Sequence, residues 1–147
     1  MRRRLRSGEL LALAGAIAWI VVSFLPWYRT ASGDTLGAWD VFGVLVALMI
    51  PAVLLALALA AVTVTERSPG LPVFLGVWTT VFGLIAVFAA IGRVVHDPMA
   101  GVSLRPGVWI ALAACAAIFA GAWQSMRDER TTAYPPPEIA ERPLPPV

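Results

Sequence analysis

The sequence predicts an all-α membrane protein: an antiparallel bundle of four transmembrane helices with both termini in the cytoplasm (N-in/C-in) and a disordered, proline-rich C-terminal tail. Three observations predict it. Hydrophobic residues make up 59% of the chain and charged residues 14%, against about a quarter charged in a globular domain. Four stretches carry no charge, namely 10–28, 41–65, 68–92 and 106–126, of 19, 25, 25 and 21 residues. At about 1.5 Å per helical residue each approaches or exceeds a hydrocarbon core of about 30 Å. With the N-terminus inside, eight of the eleven arginines fall in cytoplasmic segments and three in outer loops, the asymmetry of the positive-inside rule.

The basic segment 1–7 leads into a first span over about 8–27, with Ser7 as cap, Glu9 at the positive end of the helix dipole and Pro26 as terminator. The apolar run is long for a signal peptide and no small-x-small cleavage site follows it, so it reads as a retained helix. Residues 28–39 form an outer loop with turn chemistry at Ser32-Gly33-Asp34, and Asp40 is placed to cap a second span over about 40–64. Pro51 within that span removes a backbone hydrogen bond and predicts a bend. Glu66-Arg67-Ser68-Pro69 makes a tight inner turn into a third span, about 70–92; a second outer loop covers 93–105, and Pro106 opens a fourth span to about 126. These spans make the transmembrane domain 8–126. Residues 127–147 hold six prolines and no apolar periodicity, which predicts a disordered cytoplasmic tail with polyproline character.

Helical faces predict how the spans meet. In the third, Phe74, Trp78, Phe82, Ile85 and Phe88 share one face, and Gly76, Thr79, Thr80, Gly83, Ala86 and Ala90 share the other. In the fourth, Leu112, Phe119 and Trp123 oppose Ala113, Ala117, Ala120, Gly121 and Gln124; in the first, Leu13, Ile17, Ile20 and Phe24 oppose Ala12, Ala16 and Ser23. Apolarity cannot drive helices together in lipid, so the packing faces are expected along Ala12, Ala16, Gly76, Thr80, Gly83, Ala113, Ala117 and Gly121, with Ser23, Thr79, Thr80 and Gln124 bonding to neighbouring backbone or to each other. The bulky stripes are left for lipid or another protein. Trp27, Tyr28, Trp39 and Trp109 are expected at the outer membrane interface and Trp123 at the inner one, while Trp19 and Trp78 lie deeper and read as packing residues.

No Asp, Glu, Lys, Arg or His lies within the charge-free stretches, which removes the usual mark of a proton or ion path. Neither paired carboxylates nor a serine with a general base is available there, so the chain is read as no enzyme, with no catalytic residues. Cys115 is the single cysteine and excludes an intrachain disulfide. His96 is the single histidine; with Met99 or Asp97 it could be drawn as a haem or metal ligand, but a lone loop histidine reads as a solvated group, and no metal or cofactor is expected. A net charge of +2 without a basic face argues against nucleic acid. The outer loops gather Arg29, Asp34, Asp40, Arg93, His96, Asp97 and Arg105, a balanced cluster of interfacial caps and weak ion pairs that is also a candidate docking surface. The tail ends Arg142-Pro143-Leu144-Pro145-Pro146-Val147, the pattern of a ligand for an SH3-type groove.

Boundary motifs add a resemblance. Arg6-Ser7-Gly8-Glu9 before the first span, Phe24-Leu25-Pro26-Trp27-Tyr28 at its end, Ala38-Trp39 with Phe42 opening the second, and Met126-Arg127-Asp128-Glu129-Arg130-Thr131 after the fourth resemble a group of uncharacterised small four-pass integral membrane proteins of actinobacteria. The resemblance implies the topology, and with it a place in the bacterial inner membrane, but no activity. The expected function is a non-enzymatic accessory, assembly or scaffold subunit whose partners are the bilayer and other membrane proteins or copies of itself. The alternative is an oligomeric small-solute channel or transporter.

Overall fold

A computed structural model describes residues 5–65, 70–96 and 98–130, with side chains to 127. Four helices carry the fold: α1 Ser7–Ser23, α2 Val44–Thr65, α3 Gly70–Val95 and α4 Pro106–Arg130. The last three are long and apolar enough to cross a membrane, which gives the chain the character of a multi-pass helical membrane protein. Helix α1 has 17 residues and reaches about 25 Å, short of the span expected over 8–27. Its chain leaves the helix at Phe24 and passes through Pro26 in non-helical form.

Each helix packs side by side with its neighbours in sequence, and α1 closes the ring against α4; the α1–α4 contact is the most extensive and α1–α2 the thinnest of the four. The α1–α4 seam is made by backbone. A Cβ on Gly8 would stand 2.6 Å from the Gly121 carbonyl oxygen, one on Gly15 would stand 2.7 Å from that of Ala114, and one on Gly121 would collide with Ala12 and Gly8. Such close approach through small residues is the means of helix association open in lipid. Gly83 plays the same part between α3 and α4, where an added Cβ would come 3.0 Å from Phe119 Cα.

The expected small face of α3 is found as read: Gly76, Thr79, Thr80, Gly83, Ala86 and Ala90 are all buried. That of α4 is turned. Ala113 is exposed and Ala117 half-buried, while Ala111, Ala114, Cys115, Ile118, Gly121 and Ala122 face inward. Alanine on both sides of α4 gives the sequence no contrast from which to fix its rotation. Ser23, Thr79 and Thr80 turn their hydroxyls back to the carbonyls of Ile20, Leu75 and Gly76 in their own helices, at 2.7, 2.7 and 2.9 Å, the local solution such residues take inside a helix. Gln124 does cross, donating to Ser7 Oγ at 3.1 Å.

Helix ends also differ from the expected ones. Arg6, and not Ser7, is the N-cap of α1, and the Glu9 carboxylate accepts the Arg6 backbone N–H at 2.9 Å. Helix α2 starts at Val44, four residues after Asp40, and runs unbroken through Pro51. Asp40 instead closes a turn by accepting the Gly37 N–H at 2.7 Å. Helix α3 extends to Val95 and takes in Arg93; α4 extends to Arg130, past the expected start of the tail. The inner turn 66–69 and the tail motifs from 131 onward lie outside the described residues.

The connecting loops hold a feature no helical periodicity could announce. Strands β1 Tyr28–Arg29, β2 Thr35–Leu36 and β3 Ser103–Leu104 form an antiparallel sheet in the order β2-β1-β3. β1 and β2 are the arms of a hairpin whose turn closes with Gly33 N–H to the Thr30 carbonyl at 3.0 Å, with Gly33 at φ +96°. Pairing of β1 with β3 ties the two loops together. The C-terminal ends of α1 and α3 and the N-terminal ends of α2 and α4 therefore meet at one end of the molecule.

Candidate functional site

At this loop end the structure builds inward from the turn after α1. Pro26 cannot continue the helix, and Trp27 and Tyr28, the next two residues, are fully buried. This corrects their expected place at the membrane interface. Each buries its polar tip on a carbonyl: Trp27 Nε1 donates to Val22 at 2.8 Å and Tyr28 Oη donates to Arg93 at 2.7 Å. Gly107 admits Trp27, since a Cβ there would collide with the Pro26 carbonyl.

Arg93 is the second side chain drawn inside, 7% exposed. Its Nη2 donates to the Val41 carbonyl, in the turn before α2, while Nε has no hydrogen-bond partner. The guanidinium thus ties the end of α3 to the start of α2. Its opposite number is Glu9, 4% exposed near the start of α1, whose Oε1 lies 3.2 Å from the Thr63 hydroxyl that also reaches the Leu59 carbonyl. Both charges belong to helix ends, which the lengths of the charge-free stretches could not place inside the protein.

The expected polar cluster is only partly assembled. Arg29, Asp34 and Asp40 are exposed, with Arg29 Nε donating to the Gly33 carbonyl at 3.2 Å and Asp34 Oδ2 accepting from Ser32 at 2.8 Å. Arg105 is half-buried, and its N–H donates to the Trp27 carbonyl at 2.9 Å. His96 is exposed at the end of α3, and Asp97 lies outside the described residues. Among the described residues no two of these charges form an ion pair, and the hairpin is held by local backbone and side-chain hydrogen bonds. Nor do the described residues include a group of three or more His, Cys, Asp or Glu that could hold a metal.

Beside the hairpin, between the end of α1 and the start of α2, lies a cavity of about 280 Å³ lined by Ser23, Phe24, Leu25, Pro26, Thr35, Gly37, Trp39 and Asp40. It adjoins an apolar groove of about 190 Å³ running down the α1–α2 seam past Trp19, Ile20, Ile50, Val53, Leu54 and Leu57. Ser23, Phe24 and Trp39 line both. Trp19 is itself buried and donates Nε1 to Met49 Sδ at 3.4 Å.

A second surface runs along α3. Phe74, Trp78 and Phe88 are exposed, and the rings of Phe74, Trp78 and Phe82 follow one another at centroid distances of 6.2 and 6.0 Å. Trp78, expected as a packing residue, is 43% exposed. Phe119 and Trp123 make a shorter pair on α4 at 6.3 Å, and Trp39, Trp109 and Trp123 are exposed. The chain matches no family model, and neither a curated protein nor a solved structure matches it.

Proposed function

We propose that the chain is a non-enzymatic accessory or scaffold subunit of a bacterial inner-membrane assembly, and that α3 is the helix it offers to its partner. The observation that carries this reading is the exposed aromatic file Phe74–Trp78–Phe82, with Phe88 beyond it, on a bundle already closed by its own small residues. A helix that spends its small face on internal packing and keeps large rings outside can associate further only by van der Waals insertion of those rings between small residues of another helix, since apolarity alone gives no drive in lipid. In this reading all four helices cross the bilayer, α1 with help from the turn residues 24–26, and the loop end with its sheet lies outside. The positive-inside count supports that orientation. The backbone-close α1–α4 seam favours a packed subunit over a pore in the monomer.

The test is isolation of the full chain from its native membrane into nanodiscs, with mass spectrometry of what accompanies it. A stoichiometric membrane protein that is lost on Phe74→Leu with Trp78→Leu supports the reading. A monodisperse chain with nothing attached overturns it.

A further inference from the structure

We infer that the α1–α2 seam at the loop end is a lipid site, one that takes an acyl chain in its apolar groove and an ammonium-bearing headgroup at its mouth. This goes beyond the α3 surface and uses a different face of the bundle; of the reading above it needs only that the seam faces the bilayer, in either leaflet.

The groove requires an amphiphile. Its deeper part is apolar, with Ile50, Val53, Leu54 and Leu57 along α2, and it opens to the surface, since Ile20 and Leu54 are exposed. The α1–α2 seam is the thinnest in the ring. At about 190 Å³ the groove is smaller than the roughly 300–1,000 Å³ of pockets that enclose a drug-sized ligand, which suits a segment of chain whose head stays outside. A wholly apolar partner helix fits less well, because one that covered the mouth as well as the groove would bury the Asp40 carboxylate without a cation.

The mouth selects the headgroup by charge. Around Gly37 three acceptor oxygens converge: a Cβ there would stand 3.4 Å from the Leu25 carbonyl, 3.5 Å from Asp40 Oδ2 and 3.6 Å from the Ser23 carbonyl. Two of these belong to the C-terminal end of α1, where the helix dipole is negative. No cationic residue lines the cavity. Trp39 stands at the junction of cavity and groove, with the rings of Phe24 at 6.2 Å and Phe42 at 5.9 Å as neighbours and nearly half of its own surface exposed. Carboxylate, carbonyls and an exposed indole together are the chemistry that recognises an ammonium group.

The full chain in nanodiscs is photolabelled with phosphatidylethanolamine and, separately, with phosphatidylglycerol, each carrying a photoactivatable acyl chain. The expected label concentrates on residues 19–24 and 50–57. The ethanolamine lipid should exceed the glycerol lipid there by about two- to fivefold, the size of an exposed cation–π contact. Asp40→Asn, which keeps an acceptor for the Gly37 N–H, and Trp39→Ala should erase that preference. Leu54→Trp, at an exposed rim position, should reduce label from both lipids, with helical content unchanged by circular dichroism. Label spread equally over α3 and α4, equal labelling by the two lipids, or an unlabelled groove because the chain's tail or a second copy occupies it would each overturn the inference. None of these outcomes bears on the α3 surface, which is untouched by the variants.

Discussion

Arg93 shows how one side chain can join elements that packing alone would leave loose. It hydrogen-bonds Val41 through its guanidinium and receives Tyr28 on its own carbonyl, so three segments meet on one residue. Arg93→Ala leaves the Val41 carbonyl without its donor and should lower stability by about 1–3 kcal/mol. Arg93→Lys, with a compact ammonium in place of the planar fork, should fall between it and the parent. Tyr28→Phe should cost about 0.5–1.5 kcal/mol. Thermal unfolding in detergent followed by circular dichroism measures all three. The order Ala, Lys, Phe from most to least damaging is expected, and a neutral Arg93→Ala would remove the residue from this role. At this scale the sequence was legible for α3 and for α1, where Ala12, Ala16 and Ser23 are buried and Ile17, Ile20 and Phe24 exposed, and less so in α4 and the loops. Trp27 and Tyr28 follow a span and carry the composition of a membrane belt, yet Trp27 lies against Val22 and Gly107 and Tyr28 reaches Arg93, contacts with distant segments that leave no mark within the loop.

Among the elements, the seam between α1 and α4 is the one most dependent on particular residues. Gly121 and Gly8 meet backbone to backbone, so a side chain at either position must push the helices apart. Overpacking in a tight core commonly costs about 1–3 kcal/mol. Gly121→Leu should reach or exceed the top of that range, whereas Ala113→Leu, on the exposed face of α4, should be close to neutral. Comparison of their melting temperatures checks this, and equal effects would contradict the observed rotation of α4. That rotation was hard to read in the sequence because alanine occupies both sides of the helix. In α3, by contrast, Phe and Trp alternate with Gly and Thr at helical spacing, and the buried face follows directly. Helix starts marked by proline were legible too, as at Pro106, while a carboxylate with two available roles was not: Asp40 closes the turn at Gly37 and leaves Val44 to begin α2.

For the whole molecule, pairing of β1 with β3 commits both loops to one end. Single cysteines introduced at Ser32 and Ser103, in a Cys115→Ala background, should react with a membrane-impermeant maleimide from the same side of the membrane, and a cysteine at Thr65 only from the other. Labelling of Ser32 and Ser103 from opposite sides would rule out the sheet. The charge-free stretches made the number and order of helices legible, and the length of α1 was obscured because the apolar run continues past Ser23 through exposed Phe24 and Leu25 to buried Trp27 and Tyr28. What the bundle is for rests on the surface it leaves over. The most direct test places a photocrosslinking amino acid at Trp78 in cells, with a second at Val44, an exposed residue at the start of α2, as control. The account predicts a discrete crosslinked species from Trp78 that contains another membrane protein and is absent from the control. Crosslinks from Trp78 to lipid alone, matching those from Val44, would contradict it.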